Sequence, residues 1–324
     1  MLMANLALVA DIGGTNARFA LVDMHEPATL TCVDTLATND YLTLTDALDQ
    51  YLKKHQVSNL AAITLAVAAP VQKGKAKFTN APWLVDRTEI AAHYRCGRVQ
   101  LINDFEAIAL CLTELEQENF RQIGDRRFHW TETAHVGVIG VGTGLGAARL
   151  NLWAGQKHAA VCEAGHASFA PENERQQQIL TFLSKMHTRV SYERLLSGSG
   201  IENIYSALSP SHSSINAEQV FNRWRTDEDE IARYTVEEFT KILGQFAGDY
   251  VLTTGCYDGI FLAGGVIVKQ FASLEPSLFL EAFLNKGRHR ELMSTVPTVV
   301  ISHLQPGLIG AARATKMESA NDFD

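Results

Sequence analysis

The chain has 324 residues, of which 46% are hydrophobic and 20% are charged, and its formal net charge is −8 at pH 7. This length is sufficient for two domains with separate cores, and the acidic balance without a basic patch argues against nucleic acid as a partner. The five cysteines include no CxxC pair, which is typical of reduced thiols in the cytoplasm. No apolar run approaches the ~20 residues of a membrane span, so we expect no membrane partner.

The first predicted elements are two strands joined by a glycine-rich turn. Apolar residues 6–10 and 19–22 predict the strands, and the connecting segment reads Asp11-Ile12-Gly13-Gly14-Thr15-Asn16-Ala17-Arg18. Residues 1–10 lack a basic region and continue directly into Asp11, so they indicate a buried strand rather than a signal peptide. Because glycine permits a tight turn with free amide groups, we interpret the segment as a phosphate loop. Asp11 would repel a phosphate unless a divalent cation or a water lies between them. An ordinary hairpin capped by Asp and Thr is the alternative.

Helices and strands alternate through the rest of the first half. We predict strands at 29–35, 61–69, 75–79 and 99–102, helices at 41–55, 86–94 and 105–115, and a loop at 80–83. In the first helix, Leu44, Leu48, Tyr51 and Leu52 share one face. Asn103 and Asp104 follow a strand end, where ligands gather in open α/β sheets. Asp104 is therefore a candidate general base toward a hydroxyl, and the alternative is a helix cap. Both hold if Asn103 caps while Asp104 faces a ligand.

The second half opens with another glycine hairpin. Strands at 134–141 and 147–152 flank Gly142-Thr143-Gly144-Leu145-Gly146, and an arginine follows each turn, Arg18 in one case and Arg149 in the other. This repetition predicts duplicated halves whose two phosphate loops grip one triphosphate. Further elements are helices at 176–187, 200–208, 228–254 and 307–316, strands at 259–263 and 297–302, and a loop at 209–214. The alternation predicts a largely parallel sheet in each half.

Three polar residues of the second half are candidates for ligand binding. Glu163 and His166 lie beside Gly165, and Glu193 follows later. No further Cys or His cluster completes ordinary zinc spacing, so polar recognition of a hydroxylated ligand is favoured over a metal site. An ordinary polar loop pair is the alternative. Gly264 and Gly265 follow a buried strand, which suits close approach of a nucleotide base or ribose, or else tight helix–strand packing.

Six motifs together resemble bacterial-type glucokinase, in the order of that family and over nearly the whole chain. They are Asp11 to Arg18, Ile102-Asn103-Asp104-Phe105, Gly142 to Gly146, Glu163-Ala164-Gly165-His166, Glu193-Arg194-Leu195-Leu196-Ser197-Gly198 and Ala263-Gly264-Gly265. The resemblance implies a two-domain α/β sugar kinase/actin-like (ribonuclease H-like) fold with the active site in the interdomain cleft. We expect a small domain at 1–114 plus 306–324 and a large domain at 115–305.

The resemblance also implies an activity: a cytoplasmic, homodimeric transferase that phosphorylates glucose at the 6-hydroxyl with ATP and Mg²⁺, the first step of glycolysis. By the same resemblance, Asp104 takes the proton from the 6-hydroxyl, and Asp104, Asn103, Glu163, His166 and Glu193 bind the sugar. Phosphates are cradled by Gly13, Gly14, Thr15 and Asn16 and by Gly142, Thr143 and Gly144. Asp11 lies near the Mg²⁺, through water, and Gly264 and Gly265 flank the adenosine.

The sequence motifs exclude some alternative functions and leave others open. Residues 167–178 contain no Cys, unlike the zinc motif of the related repressor/open-reading-frame/kinase group, so no zinc site is expected. The loop at 80–83 resembles the family only partly. A dehydrogenase fingerprint fails because Leu145 stands where its third glycine belongs, and no P-loop pattern occurs. A kinase for another hexose remains an alternative. So does a non-catalytic sugar sensor, although such a protein would be expected to lose Asp104 or a phosphate loop.

Overall fold

The computed structural model describes residues 5–78, 83–270 and 274–317, without the side chains of Pro27 and Ala28. The chain divides into two compact units. The first is Met1–Glu116 with His303–Asp324, and the second is Gln117–Ser302. The predicted domain limits at 114 and 306 lie a few residues from these bounds.

The described residues form strands and helices that we number along the chain. The strands are β1 (Leu6–Ile12), β2 (Asn16–Asp23), β3 (Glu26–Ala37), β4 (Ala62–Val67), β5 (Val71–Gln72), β6 (Lys75–Lys77), β7 (Leu84–Asp86), β8 (Val99–Asn103), β9 (Phe120–Ile123), β10 (Ala134–Val141), β11 (Leu145–Trp153), β12 (Gln156–Cys162), β13 (Gly259–Ala263) and β14 (Thr298–Ile301). The helices are α1 (Leu44–Lys54), α2 (Arg87–Tyr94), α3 (Asp104–Cys111), α4 (Glu174–Leu183), α5 (Gly198–Leu208), α6 (Ala217–Thr226), α7 (Glu230–Thr254), α8 (Gly265–Gln270), α9 (Pro276–Leu284), α10 (Arg290–Met293) and α11 (Pro306–Ala314).

The main sheet of each unit repeats one arrangement of strands. The first has the order β3-β2-β1-β4-β8, and the second has β12-β11-β10-β13-β14 with β9 added at the edge. In both, the first three strands are antiparallel neighbours, and the last three of the shared order are parallel. The duplication predicted from the two glycine hairpins is therefore present. The prediction of largely parallel sheets was wrong, because each hairpin and the strand after it add antiparallel pairs.

Helix α1 illustrates how local sequence sets the first unit. Thr43 and Asp46 form a reciprocal capping box at its start, and Leu44, Leu48, Tyr51 and Leu52 are buried as predicted. The predicted helix began three residues too early, because Thr43 is the cap and residues 41 and 42 precede it. Helix α3 is shorter than predicted and ends at Cys111. It packs against α11, where a Cβ on Gly310 would lie 1.7 Å from the carbonyl oxygen of Ala107.

In the second unit, the long helix α7 packs closely against α9. A Cβ on Gly244 would lie 2.2 Å from the carbonyl oxygen of Phe279, and one on Gly248 would lie 2.7 Å from the carbonyl oxygen of Phe283. Glycine at both positions therefore lets the two helices approach at their backbones. Strands β5, β7, β9 and β12 and helices α6, α9 and α10 were not predicted. Residues 80–82 of the predicted loop lie outside the described residues. Among the residues that the structure describes, no helix is both long and apolar enough to cross a membrane.

Candidate active site

The first glycine turn joins β1 to β2 and is fixed by its own backbone and by Thr38. The N–H of Gly13 donates to the Asn16 carbonyl at 2.9 Å. Thr38, fully buried after β3, donates its N–H to the Thr15 carbonyl at 3.0 Å and its hydroxyl to the Gly13 carbonyl at 3.2 Å. These bonds engage the carbonyl oxygens of the turn. Within the described part of the chain, the N–H groups of Gly14 and Thr15 donate to no backbone acceptor, which suits an anion.

Asp11 lies at the end of β1, directly across the hairpin from Arg18. Its carboxylate accepts from the Arg18 guanidinium at 3.2 Å. Burial raises the pKa of Asp11, and the Arg18 charge opposes that rise. A Cβ on Gly307, in the first turn of α11, would lie 2.7 Å from the Asp11 carboxyl carbon, so glycine there makes room for the carboxylate. The start of a helix also favours a negative charge.

The donor set around Asp11 fits a magnesium ion that arrives with a nucleotide. Mg²⁺ is typically held by one or two carboxylates, by several waters and by substrate phosphates. Asp11 supplies one carboxylate beside a turn with free amide groups. The described residues contain no group of three or more His, Cys, Asp or Glu side chains arranged to hold a metal ion.

Asn103 and Asp104 lie at the junction of β8 and α3. The side-chain oxygen of Asn103 accepts from the Phe105 N–H at 2.8 Å, and its amide donates to the Ala69 carbonyl at 3.2 Å. Asn103 therefore caps the helix, as the alternative interpretation stated. Asp104 is the first helical residue and is partly exposed, and one of its carboxylate oxygens accepts from the Phe105 N–H at 3.0 Å. The cap thus fixes the backbone that carries the candidate base.

In the second unit, Glu193 belongs with Glu163 and His166 to a group of candidate sugar-binding residues, which we call the sugar cluster. Glu193 connects this cluster to the second glycine turn. Its Oε2 accepts from the Leu145 N–H at 3.0 Å, and a Cβ on Gly144 would lie 2.6 Å from that same oxygen. The other carboxylate oxygen, Oε1, lies 4.0 Å from Nδ1 of His166. The turn itself is closed by the Gly142 N–H, which donates to the Gly144 carbonyl at 2.9 Å. The Glu193 carboxylate therefore contacts both a candidate phosphate loop and His166, a candidate sugar-binding residue.

Glu163 and His166 complete this cluster on a short turn after β12. Nε2 of His166 lies 3.7 Å from a carboxylate oxygen of Glu163, and both side chains are well exposed. Gly165 between them packs against the glycine turn, since a Cβ there would lie 2.1 Å from the Leu145 carbonyl oxygen. The structure therefore brings Glu163, His166 and Glu193 together beside the turn, as expected for polar recognition of a hydroxylated ligand.

Gly264 and Gly265 differ in their surroundings. Gly264 has a φ of +95°, and a Cβ on it would lie 2.3 Å from the Val141 carbonyl oxygen. It therefore serves the tight packing that was the alternative interpretation. Gly265 opens α8, and the place where its Cβ would stand lies more than 4 Å from every described atom outside its chain neighbours and its own helix backbone. Only Gly265 has the open space that close approach of a ligand requires.

Comparison with known proteins identifies the family. The glucokinase family model matches residues 8–318. A curated glucokinase of Xylella fastidiosa is 36% identical over 316 residues, which cover 94% of this chain and 93% of that relative. This chain belongs to the glucokinase family. The predicted enzyme class, an ATP-dependent glucose kinase, is thereby confirmed.

Solved structures agree with this assignment to the glucokinase family. A glucokinase from an Antarctic psychrotroph is 32% identical, with a TM-score of 0.83, covering 96% of this chain and 98% of that chain. A ROK family glucokinase from Streptomyces griseus, solved with glucose and AMPPNP, is 18% identical, with a TM-score of 0.63, covering 95% and 98%. The second likeness concerns the fold alone, and the predicted α/β sugar kinase/actin-like fold is confirmed. The roles of individual residues stay predictions.

Proposed function

We propose that this glucokinase transfers the terminal phosphoryl group of ATP to the 6-hydroxyl of glucose, with Mg²⁺ and with the residues named above. The observation that carries the residue assignment is the position of Glu193. Its carboxylate bonds the backbone of a glycine turn with one oxygen and lies near His166 with the other. This arrangement suits an enzyme that must place a hydroxyl and a phosphate at one point, because phosphoryl transfer depends mainly on positioning and charge neutralisation.

The sugar would be bound by carboxylates and by an amide. Glu163, His166 and Glu193 offer acceptors and a ring N–H to sugar hydroxyls, and carboxylates accept such hydrogen bonds strongly. Asn103 has its side-chain oxygen engaged with Phe105 and donates one amide hydrogen to Ala69, which leaves one amide hydrogen for the sugar. Each donor or acceptor lost at this site should therefore weaken glucose binding.

Asp104 would accept the proton of the 6-hydroxyl as that oxygen attacks the phosphate. A sugar hydroxyl is a weak nucleophile until its proton begins to leave, and a positioned carboxylate is an ordinary general base for this step. The Asn103 cap holds the first turn of α3 and so limits the positions that Asp104 can take. Phosphate oxygens of the nucleotide would meet the free amide groups of the first glycine turn.

We propose three further properties that follow from the family resemblance. Mg²⁺ would be held by Asp11 through water and would neutralise charge on the phosphate oxygens. The enzyme would act in the cytoplasm, in glycolysis, which agrees with the free thiols of its five cysteines. It would be a homodimer. Gel filtration with light scattering tests the last of these properties, since a monomer at working concentration would contradict it.

A coupled assay of ADP release tests the proposed activity. With ATP and Mg²⁺, we expect glucose to give the highest kcat/KM in a panel that includes mannose, glucosamine and fructose. Activity should disappear with EDTA and return with Mg²⁺ alone, because the site needs a hard cation on phosphate oxygens and no thiolate-bound metal. A preference for another hexose would support the alternative activity, a kinase for that hexose. A requirement for added zinc would contradict the assignment of Mg²⁺. A rate of ADP release that does not depend on any of the sugars would contradict the proposed function.

Gly144→Ala is expected to raise the KM for glucose with little loss of stability. The new Cβ would lie 2.6 Å from Glu193 Oε2, the end of a flexible side chain, so the carboxylate must move while the fold remains. Losing hydrogen bonds of a charged group costs about 1.5–3 kcal/mol, which corresponds to a roughly ten- to hundredfold loss of kcat/KM for glucose.

Gly142→Ala is the matched variant in the same turn. Apart from its chain neighbours, no atom of the described residues lies within 4 Å of its new Cβ, so Glu193 is not displaced. We expect Gly142→Ala to change the KM for ATP instead, since that space is where phosphates are proposed to lie. Equal effects of both variants on the glucose KM would contradict the role given to Glu193.

A further inference from the structure

Tyr192, the residue before Glu193, is a buried phenol with two hydrogen bonds to α7. Its hydroxyl donates to Oδ2 of Asp249 at 3.1 Å and accepts from the Gln245 amide at 3.0 Å. Burial and then the Asp249 carboxylate raise the pKa of Tyr192, so the phenol keeps its proton near neutral pH. Tyr192 is 4% exposed. Its hydroxyl is therefore available only to these partners and not to a ligand.

Asp249 is in turn held by a buried amine. Nζ of Lys286 lies 2.8 Å from Oδ1 of Asp249, and the lysine side chain is only 5% exposed. The chain of Lys286 lies against Gly248, whose missing side chain gives it room. Burying an amine is costly unless it is paired, so the ion pair fixes Asp249 on the surface of α7. The result is a chain of three side chains from Lys286 through Asp249 to Tyr192.

The backbone of Tyr192 also contacts the other half of the sugar cluster. Its N–H donates to the carbonyl of Ala167, the residue after His166, at 3.0 Å, and Ser168 pairs with Ser191 beside it. Gln245 donates its amide hydrogen to the Ala170 carbonyl as well as to Tyr192. Tyr192 thus joins α7 to both segments that carry the proposed sugar ligands.

We propose that Tyr192, with Asp249 and Lys286 behind it, is a positioning residue that aims the Glu193 carboxylate at the sugar. This inference rests on the proposed function. The short turn at Tyr192–Arg194 has no side-chain cap of its own. Ser197 and Asn203 donate to the Glu193 and Arg194 carbonyls at 2.9 Å, and the phenol of Tyr192 holds the start of the turn against α7. If the phenol loses its partners, the turn can rotate and Glu193 leaves the position between Leu145 and His166.

Tyr192→Phe is expected to raise the KM for glucose about tenfold, because a small misplacement of a binding group is costly. The KM for ATP and kcat should change less than twofold. Tyr205→Phe is the matched control. Tyr205 is also 4% exposed, but its hydroxyl donates to Asp229 at 2.7 Å and accepts from Arg223 at 3.3 Å, so its hydrogen bonds hold the start of α7 and not the turn that carries Glu193. Tyr205→Phe should lower the thermal stability by a similar amount and leave the glucose KM unchanged.

A double-mutant cycle shows whether Tyr192 acts through Glu193. In a Glu193→Gln background, Tyr192→Phe should raise the glucose KM less than twofold, since the carboxylate that it positions is already gone. An undiminished tenfold effect in that background would overturn the proposal. If Tyr192→Phe does not fold, Asp249→Asn provides the same measurement, because it removes the charged partner of both Tyr192 and Lys286 at a half-exposed position.

Failure of this inference and failure of the proposed function give different results. A wild-type enzyme that phosphorylates glucose, together with a Tyr192→Phe enzyme of unchanged glucose KM, overturns the positioning role alone. Equal rises in glucose KM for Tyr192→Phe and Tyr205→Phe overturn it too, because they indicate a general loss of rigidity. Wild-type protein without glucose-dependent ADP release overturns the proposed function, and the positioning role is rejected with it.

Discussion

Asp104→Ala is expected to lower kcat for glucose phosphorylation by about 10²–10⁴-fold, the usual contribution of a positioned acid–base group. The KM for glucose should rise less than kcat falls, because the other proposed sugar-binding residues would remain unchanged. Asp104→Asn sharpens the measurement, since it keeps an oxygen that can accept from the Phe105 N–H but has little basicity. Steady-state kinetics with saturating ATP and Mg²⁺ measure both constants.

Glu106→Gln is the matched control for the loss of one negative charge in the first turn of α3. Glu106 is a partly buried carboxylate two residues beyond Asp104, and burial raises its pKa. We expect its replacement to change kcat by less than about threefold, because a substitution at an ordinary surface site changes the free energy by about 0.5 kcal/mol or less. Near-normal turnover of folded Asp104→Ala would remove Asp104 from the mechanism. If kcat falls equally in the Asp104 and Glu106 variants, the loss comes from a disturbed helix α3 and not from a missing base.

Those features that depend on local chemistry were predictable from the sequence. The hairpin at Asp11, the buried face of α1 and the Asn103 cap each follow from the spacing of apolar or capping residues, and the structure contains all three. The strand β10 ends where the second glycine turn begins, as predicted from its continuous apolar run. Repetition of a hairpin further indicated the duplicated sheets, without any long-range information.

Among the missed elements, β12 has a weak pattern for a physical reason, whereas α6 and α9 carry start signals in the sequence. Strand β12 forms the edge of its sheet and each of its residues is at least partly exposed, so its apolar run is short and covers only residues 159–162. Helix α6 is polar, but Asn216 and Gln219 form a capping box that marks its start in the sequence and could have been found. Helix α9 begins at Pro276, which is a favoured first helical residue.

Contacts between distant segments could not be predicted, and they decide much of the site. Thr38 supports the first glycine turn from the end of β3, and no local motif marks it. Gly307 makes room for Asp11 although almost the whole chain separates them. The contact of Gly144 with Glu193 and the packing of Tyr192 against α7 are likewise not marked by any local motif. Each of these depends on how sheets and helices pack, which one sequence without its fold does not specify.

Gly264→Ala is expected to destabilise the second unit strongly, while Gly265→Ala leaves it intact. At Gly264 the φ of +95° is strained for any side chain, and the new Cβ would overlap the Val141 backbone of the central strand β10. Strain of about 1–3 kcal/mol and overpacking of a similar size add up to roughly 2–6 kcal/mol. The thermal midpoint should fall by roughly 5–20 °C, as measured by calorimetry.

Gly265→Ala separates packing from ligand binding at the same motif. In the part of the chain that the structure describes, its Cβ would meet no atom outside its own helix within 4 Å. The thermal midpoint should therefore stay the same or rise slightly, because alanine suits a helix better than glycine. If adenosine lies against this glycine, as proposed, the added methyl group should raise the KM for ATP and leave the KM for glucose unchanged. An unchanged KM for ATP would place the nucleotide elsewhere, and an equally large fall in stability for both variants would contradict the open space at Gly265.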